Sequence, residues 1–303
     1  MRALGESLRF AIGRLIKLLV RTGIWMLRRL DPDRCSDFFG ALARRIGPWV
    51  GVNKLGREQL RAAFPEKSEA EIEKILAGVW DNLGRYVGEF VHLDRLWDWD
   101  VLRPDQGRIV CPNFDRIVQI RDDGKSTLFF TGHLANWELS GVWAPAHGVK
   151  SVVLIRPPKS RVATEIIQQL RQGSMGHLVL TGRTAAFQLA RAIQSGSHVG
   201  LLMDQFWSGG TRVTFFGRLC PANPTLARLA RQFECEVRGA RVVRLPGHRF
   251  KIEITEPLDL PRDAASKVDV EATTQLITSV IEGWVREHPE QWLWLHRRWR
   301  EYF

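Results

Sequence analysis

From Gly107 onward the chain repeats one unit: a short run of β-branched and aromatic residues, a turn, then a segment with helical spacing. Candidate strands cover 127–131, 151–155, 177–181, 198–203, 236–243 and 249–255. Candidate helices cover 137–146, 160–172, 184–195 and 224–233, and a last amphipathic helix covers 270–287. Strands alternating with helices imply a largely parallel sheet covered on both faces. Leu245-Pro246-Gly247-His248 joins the last two strands as a hairpin, which predicts an antiparallel sheet edge. The fold class expected is α/β: one domain with a central, mostly parallel sheet flanked by helices, preceded by a helical N-terminal section.

That N-terminal section divides in two. Over residues 4–29, Leu4, Leu8, Ile12, Leu15, Ile16, Leu18 and Leu19 fall on one side of a helix, and Arg14, Lys17, Arg21 and Arg28 on the other. The charges interrupt the apolar run too often for a spanning helix. A basic amphipathic helix lying in the headgroup region fits better, and an ordinary surface helix is the alternative. Asp31-Pro32-Asp33 ends this element, so residues 1–30 form a membrane-associating segment and 31–303 the main domain. Within it, 31–105 is expected to be helical and 106–303 to be the α/β core. Ser68-Glu69-Ala70-Glu71 is a capping box opening a helix through Ile72, Ile75, Leu76, Val79 and Trp80. Asn82, Arg85, Tyr86 and Glu89 follow, facing either a lipid or, more simply, solvent.

Two features of the composition bear on partners. The formal charge is +11, and there are 12 Trp against 2 Tyr. A basic chain suits an anionic partner, and indoles suit a membrane interface. The four cysteines, Cys35, Cys111, Cys220 and Cys235, are scattered, which argues against a disulfide framework or a zinc site.

The chemistry concentrates between Thr131 and Gly141. Gly132 breaks the strand before it, Asn136 is placed to N-cap the next helix, and Trp137 and Glu138 would open that helix. His133 and Glu138 can converge across such a strand–loop–helix corner. An imidazole oriented by a carboxylate is a general base able to deprotonate a hydroxyl. The plainer alternative is a Glu favoured by the helix macrodipole beside an incidental loop His. Arg156 follows a strand and is fixed by two prolines, where a guanidinium can hold a phosphate bidentately or simply be solvated. Arg183 has the same two readings. Asp204 ends a strand, where open α/β sheets place their sites, or caps a turn. Gly124-Lys125-Ser126 is not a P-loop: Gln119 stands where the first glycine belongs, and the strand follows it. No G-x-S-x-G or H-E-x-x-H motif occurs. With no evident Ser or Cys nucleophile, direct attack by an activated hydroxyl is favoured over an acyl-enzyme.

The His-x4-Glu corner resembles the motif shared by glycerolipid and lipid A acyltransferases. Ile155-Arg156-Pro157-Pro158-Lys159, Leu201-Leu202-Met203-Asp204-Gln205 and Pro289-Glu290-Gln291-Trp292-Leu293-Trp294-Leu295-His296-Arg297-Arg298-Trp299 resemble, in order, further segments of the late (secondary) lipid A acyltransferases. The sequence departs from that pattern after Asp204, where Phe206-Trp207 replaces a second acidic residue. The resemblance implies a glycerolipid-acyltransferase-like fold and an O-acyltransferase moving a fatty acyl group from acyl carrier protein to a hydroxyl of a lipid A precursor. His133 would be the base and Glu138 its orienting group, with no metal and no cofactor. Arg156, Arg183, Asp204, Gln205 and Asn136 would bind substrate. The rival acceptor is another glycolipid or a lysophospholipid, with acyl-CoA as donor. Trp292, Trp294 and Trp299 interleave with Arg297, Arg298 and Arg300, a pattern that stacks on single-stranded nucleic acid, seats on an anionic membrane or packs in a core. The resemblance favours the membrane over nucleic acid, and places the protein on the cytoplasmic face of the inner membrane.

Overall fold

The computed structural model describes residues 2–104, 106–158 and 160–300, with the side chains of 2–12 and 161 excepted. Lys159 and the side chains of Leu4, Leu8 and Ile12 therefore lie outside the described residues. The N-terminal section holds α1 (Arg2–Leu27), α2 (Pro32–Ile46), α3 (Val52–Ala63), α4 (Glu69–Phe90) and the short α5 (Leu93–Leu96). The core then runs β1 (Ile109–Val110), α6 (Phe114–Asp122), β2 (Thr127–Thr131), α7 (Leu139–Ala146), β3 (Ser151–Ile155), α8 (Arg161–Arg171), β4 (His177–Leu180), α9 (Ala185–Gln194) and β5 (His198–Leu202). A hairpin of β6 (Thr211–Phe215) and β7 (Arg218–Ala222) follows, then α10 (Thr225–Phe233), β8 (Glu236–Leu245), β9 (Arg249–Ile254) and α11 (Val270–Glu287).

Among the described residues the sheet has seven strands in the order β1-β9-β8-β2-β5-β3-β4. All neighbours are parallel except β8 and β9. The expected antiparallel hairpin is present, but β1 pairs with β9 and takes the edge position. The β6–β7 hairpin stands outside this sheet and was not among the expected strands.

Period-2 alternation sorts the β2 side chains between two cores. Leu128 and Phe130 point into a layer built with α9, α10 and α11, while Phe129 points into one built with α6 and α7. Phe130 stacks on Trp284 with ring centroids 5.4 Å apart. The stack passes over Gly239, where an added Cβ would come within 2.8 Å of both rings. Burying an aromatic this fully contributes about 2–3 kcal/mol by area.

The helical section caps the C-terminal end of the sheet. The capping box at Ser68 and Glu71 forms, and Ile72, Leu76, Val79 and Trp80 are buried. Asn82 and Glu89 on α4 are not a solvated face but are buried. Arg244 from β8 pairs with Glu89 through both terminal guanidinium nitrogens and donates from Nε to Asn82 Oδ1 (2.9 Å). Burial would raise the Glu89 carboxyl, but the Arg244 charge, its hydrogen bonds and those of Ser36 and Asn136 outweigh it and lower the pKa. Asp31 both ends the first element and N-caps α2, accepting from Asp33 N (3.0 Å) and Arg34 N (3.1 Å).

The C-terminal tryptophans correct a sequence expectation. Trp292 and Trp294 are buried, as is Arg298. They pack with Phe64, Phe215 and Phe216 rather than meeting a membrane. The indole N–H of each finds a partner inside the protein, Asp204 for Trp292 and the Pro289 carbonyl for Trp294.

Candidate active site

Strand register builds the site. Thr131 at the end of β2 pairs with Leu202 at the end of β5, and Met203 N donates to Thr131 O (3.0 Å). His133 and Asp204 each lie two residues past those partners, side by side at the C-terminal edge of the sheet. Asp204 Oδ1 is 2.7 Å from His133 Nδ1. Asp204 Oδ2 accepts two further hydrogen bonds, from His133 N and from Trp292 Nε1, both 2.7 Å.

The corner between β2 and α7 is shaped for this approach. A Cβ on Gly132 would come within 2.9 Å of Leu134 Cδ1 and 3.4 Å of Asp204 Oδ2. Ala135 adopts φ 50°, a left-handed conformation that costs a non-glycine residue about 1 kcal/mol or more. The strain is held by Ala135 N donating to Gln291 O (2.9 Å) and by the bridge between Leu134 and Trp292.

These bonds define the protonation of the dyad. Burial would raise the Asp204 carboxyl, but the neighbouring His133 and the three hydrogen bonds outweigh it and hold the pKa at about 2. An ionised carboxylate only accepts, so Nδ1 carries the imidazole hydrogen. In the neutral imidazole the lone pair is then on Nε2, which lies 3.1 Å from Gln205 Nε2 and faces a cavity of about 420 Å³. The cavity walls include Tyr86, Trp137, Arg156, Gln205 and Trp207.

Glu138 has another set of partners. The carboxylate that meets His133 is that of Asp204. Glu138 accepts from Arg171 Nε (2.8 Å) and Nη2 (2.6 Å), and from the Tyr86 hydroxyl (2.9 Å). Both Glu138 and Arg171 have little exposed side chain, 2% and 14%. Burial and the Glu138 charge push the Tyr86 phenol well above its ordinary value. Tyr86 stacks on Trp137 at 3.9 Å, and Trp137 lies 5.1 Å from the His133 ring. The ion pair thus braces the aromatic wall beside the dyad.

The remaining candidates separate. Asn136 is buried, but it does not cap α7, which begins at Leu139 with Glu138 in the cap position. Its amide donates instead to Glu89 Oε2 (2.9 Å), tying the corner to α4. Arg156 is exposed at the cavity wall with its guanidinium 5.7 Å from the Trp207 ring. Arg183 is exposed and lies outside the cavity lining, although Thr181 is part of it. Arg171 and Trp292 complete the site without having been singled out as site residues, and Tyr86, one of the residues read as facing lipid or solvent, lines the cavity. An Arg in the last turn of a helix reads as a macrodipole partner, so Arg171 carried no separate signal.

A narrow, largely apolar slot adjoins the cavity and shares Trp137, Ile155, Arg171, Leu201 and Leu202 with it. It runs past Gly200 to Gly141 and Met175. Nothing lies within 4 Å of a Cβ built on Gly200, whereas one on Gly141 would meet Met175 Sδ at 3.3 Å.

Residues 7–301 match the family described as bacterial lipid A biosynthesis acyltransferase. The chain is also similar to the lipid A biosynthesis palmitoleoyltransferase of Escherichia coli (strain K12) and a lipid A biosynthesis acyltransferase of Shigella flexneri. Each is 23% identical over 269 residues, covering 86% of this chain and 82% of the relative.

Proposed function

The chain belongs to the bacterial lipid A biosynthesis acyltransferases, and we propose that it transfers a fatty acyl group from acyl carrier protein to a hydroxyl of a lipid A precursor with His133 as general base. The observation carrying this reading is the His133–Asp204 pair, bonded through Nδ1 with Nε2 facing the cavity. The acceptor hydroxyl displaces the Gln205 amide and gives its proton to Nε2. Its oxygen attacks the thioester carbonyl. The C–S bond breaks, an ester forms, and the imidazolium returns the proton to the leaving thiolate. Asp204 stabilises the imidazolium while it lasts. The apolar slot, about 50 Å³ as it stands, widens to take the acyl chain, and Arg156 at the mouth takes a phosphate of the acceptor.

Membrane association has its own support. Lys17 on α1 reaches Glu165 (2.5 Å), and Arg28, just past the end of the helix, reaches Asp94 (2.7 Å), so two charged contacts hold this segment to the protein. Leu15, Ile16, Leu18, Leu19, Trp25 and Met26 are at least half exposed. A helix docked through charges with its apolar residues outward suits a bilayer interface. Among the described residues no helix is long and apolar enough to cross a membrane.

The test is acyl transfer by the purified protein from acyl carrier protein to a lipid A precursor, followed by mass spectrometry. Wild type adds one acyl chain, and His133→Ala loses about 10²- to 10⁴-fold in rate with its fold retained. A His133→Ala protein with undiminished turnover would refute the mechanism. Transfer only to a lysophospholipid or another glycolipid would reassign the acceptor.

A further inference from the structure

Helix α9 exposes Phe187 at 70%, the most exposed phenylalanine among the described residues. Arg191 lies four residues after it on the same face of the helix, and Arg183 stands in the turn that leads into α9. Both arginines are exposed, and among the described residues neither meets a carboxylate. Between Glu165 and Asp204 the chain contains no acidic residue at all. Arginines around a bare aromatic have the make-up of an interface anchor, and this one is selective for negative charge.

Topology places the patch. The connection β3–α8–β4 moves outward across the sheet, and β4–α9–β5 returns over β3. Parallel crossovers are right-handed, so α8 and α9 lie on opposite faces. Helix α1, with its apolar side outward, is tied to α8 through Lys17 and Glu165. A bilayer met by α1 therefore lies on the α8 side and leaves α9 to the aqueous phase. The patch still reaches the chemistry: β4 ends at Leu180, Thr181 lines the cavity, and Arg183 begins the basic face.

We propose that the Arg183–Phe187–Arg191 face docks an acidic, helical carrier protein, whose thioester arm enters the cavity past Thr181 and Arg156. This rests on the acyl transfer proposed above and adds the surface that delivers the donor. An acidic protein matches the uninterrupted positive charge, and an exposed apolar side chain on it would cover Phe187.

The test uses the full chain with Phe187 and Arg191 replaced together (Phe187→Ser, Arg191→Glu), since both side chains are exposed and neither lines the cavity. Two donors with the same acyl chain are compared, acyl carrier protein and acyl-CoA, and holo-carrier binding is titrated directly. The carrier-donor KM and the carrier Kd should each rise about tenfold or more, with acyl-CoA kinetics and melting temperature unchanged. An unchanged carrier Kd, or equal losses with both donors, would overturn the docking surface. So would loss of binding to anionic vesicles with carrier affinity intact, which would assign the face to lipid. Wild-type transfer from acyl-CoA alone would overturn the docking surface while leaving acyl transfer standing. No transfer from either donor would remove the functional reading beneath it.

Discussion

Asp204→Asn distinguishes a carboxylate that sets the His133 tautomer from one that only lies beside it. Oδ2 receives two N–H donors, from His133 N and Trp292 Nε1. An asparagine must put its carbonyl oxygen there, because an NH₂ group cannot accept either bond. The NH₂ then occupies the Oδ1 position, 2.7 Å from Nδ1, and donates to it. The imidazole hydrogen moves to Nε2, and the nitrogen facing the cavity is no longer a base. The full general-base contribution is lost, about 10²- to 10⁴-fold in kcat, or about 3–5 kcal/mol of barrier. The fold keeps its bonds at Oδ2, so the acceptor KM should change little. The same variant removes an acid-sensitive element. With its pKa held at about 2, against about 3.9 unfolded, Asp204 contributes about 2 kcal/mol that is present above pH ~4 and lost as pH falls through the folded value. Urea unfolding of wild type between pH 5 and pH 2 should show that loss, and the Asn variant should lack this component. Steady-state transfer assays decide the catalytic half. Wild-type kcat in Asp204→Asn, together with a Glu138→Gln variant that is inactive but fully stable, would return the orienting role to Glu138.

Three further outcomes follow from the geometry. Glu138→Ala leaves the Arg171 guanidinium buried without its bidentate partner and should destabilise the fold by about 3–5 kcal/mol in urea unfolding, so an unchanged midpoint would show the pair to be dispensable. Gly200→Val fills open space in the slot and should shift donor preference toward shorter acyl chains in a mixed-donor competition read by mass spectrometry; unaltered preference would mean the chain does not run there. Deleting residues 1–30 should move the protein from the membrane to the soluble fraction, with salt alone releasing only part of the intact protein, and complete release by salt would make the attachment purely electrostatic.

Local signals located most of the sheet. Candidate strands 127–131 and 151–155 coincide with β2 and β3, and the other four differ from the observed strands only at their ends, because apolar runs between turn residues have few other solutions. The β6–β7 hairpin escaped notice: Pro221 and the Phe216-Gly217 turn break the pattern expected of a strand, and its inward side chains serve the aromatic cluster instead. Trp292 and Trp294 show a different limit. An indole is equally at home at a membrane interface and in a core, so composition cannot choose, and here the partners of the two N–H groups decide.

His133 and Glu138 invite pairing because they are five residues apart, whereas His133 and Asp204 are 71 apart and meet only because β5 inserts beside β2. Strand order carries that information, and chain order does not: β2 is followed in sequence by β3, yet β5 lies between them in the sheet. The same insertion explains why Arg156 reaches the cavity, since β3 is the next strand outward and Arg156 directly follows it. It also makes a prediction about that residue. On the reading proposed above, Arg156 holds a phosphate of the acceptor, and Lys keeps its charge but not its fork. Arg156→Lys should therefore raise the acceptor KM, and Arg156→Ala should raise it further, while the donor KM stays constant. If Arg156 also aligns the hydroxyl for attack, kcat falls in parallel. A rise confined to the donor KM would refute acceptor binding and assign Arg156 to the carrier's thioester arm.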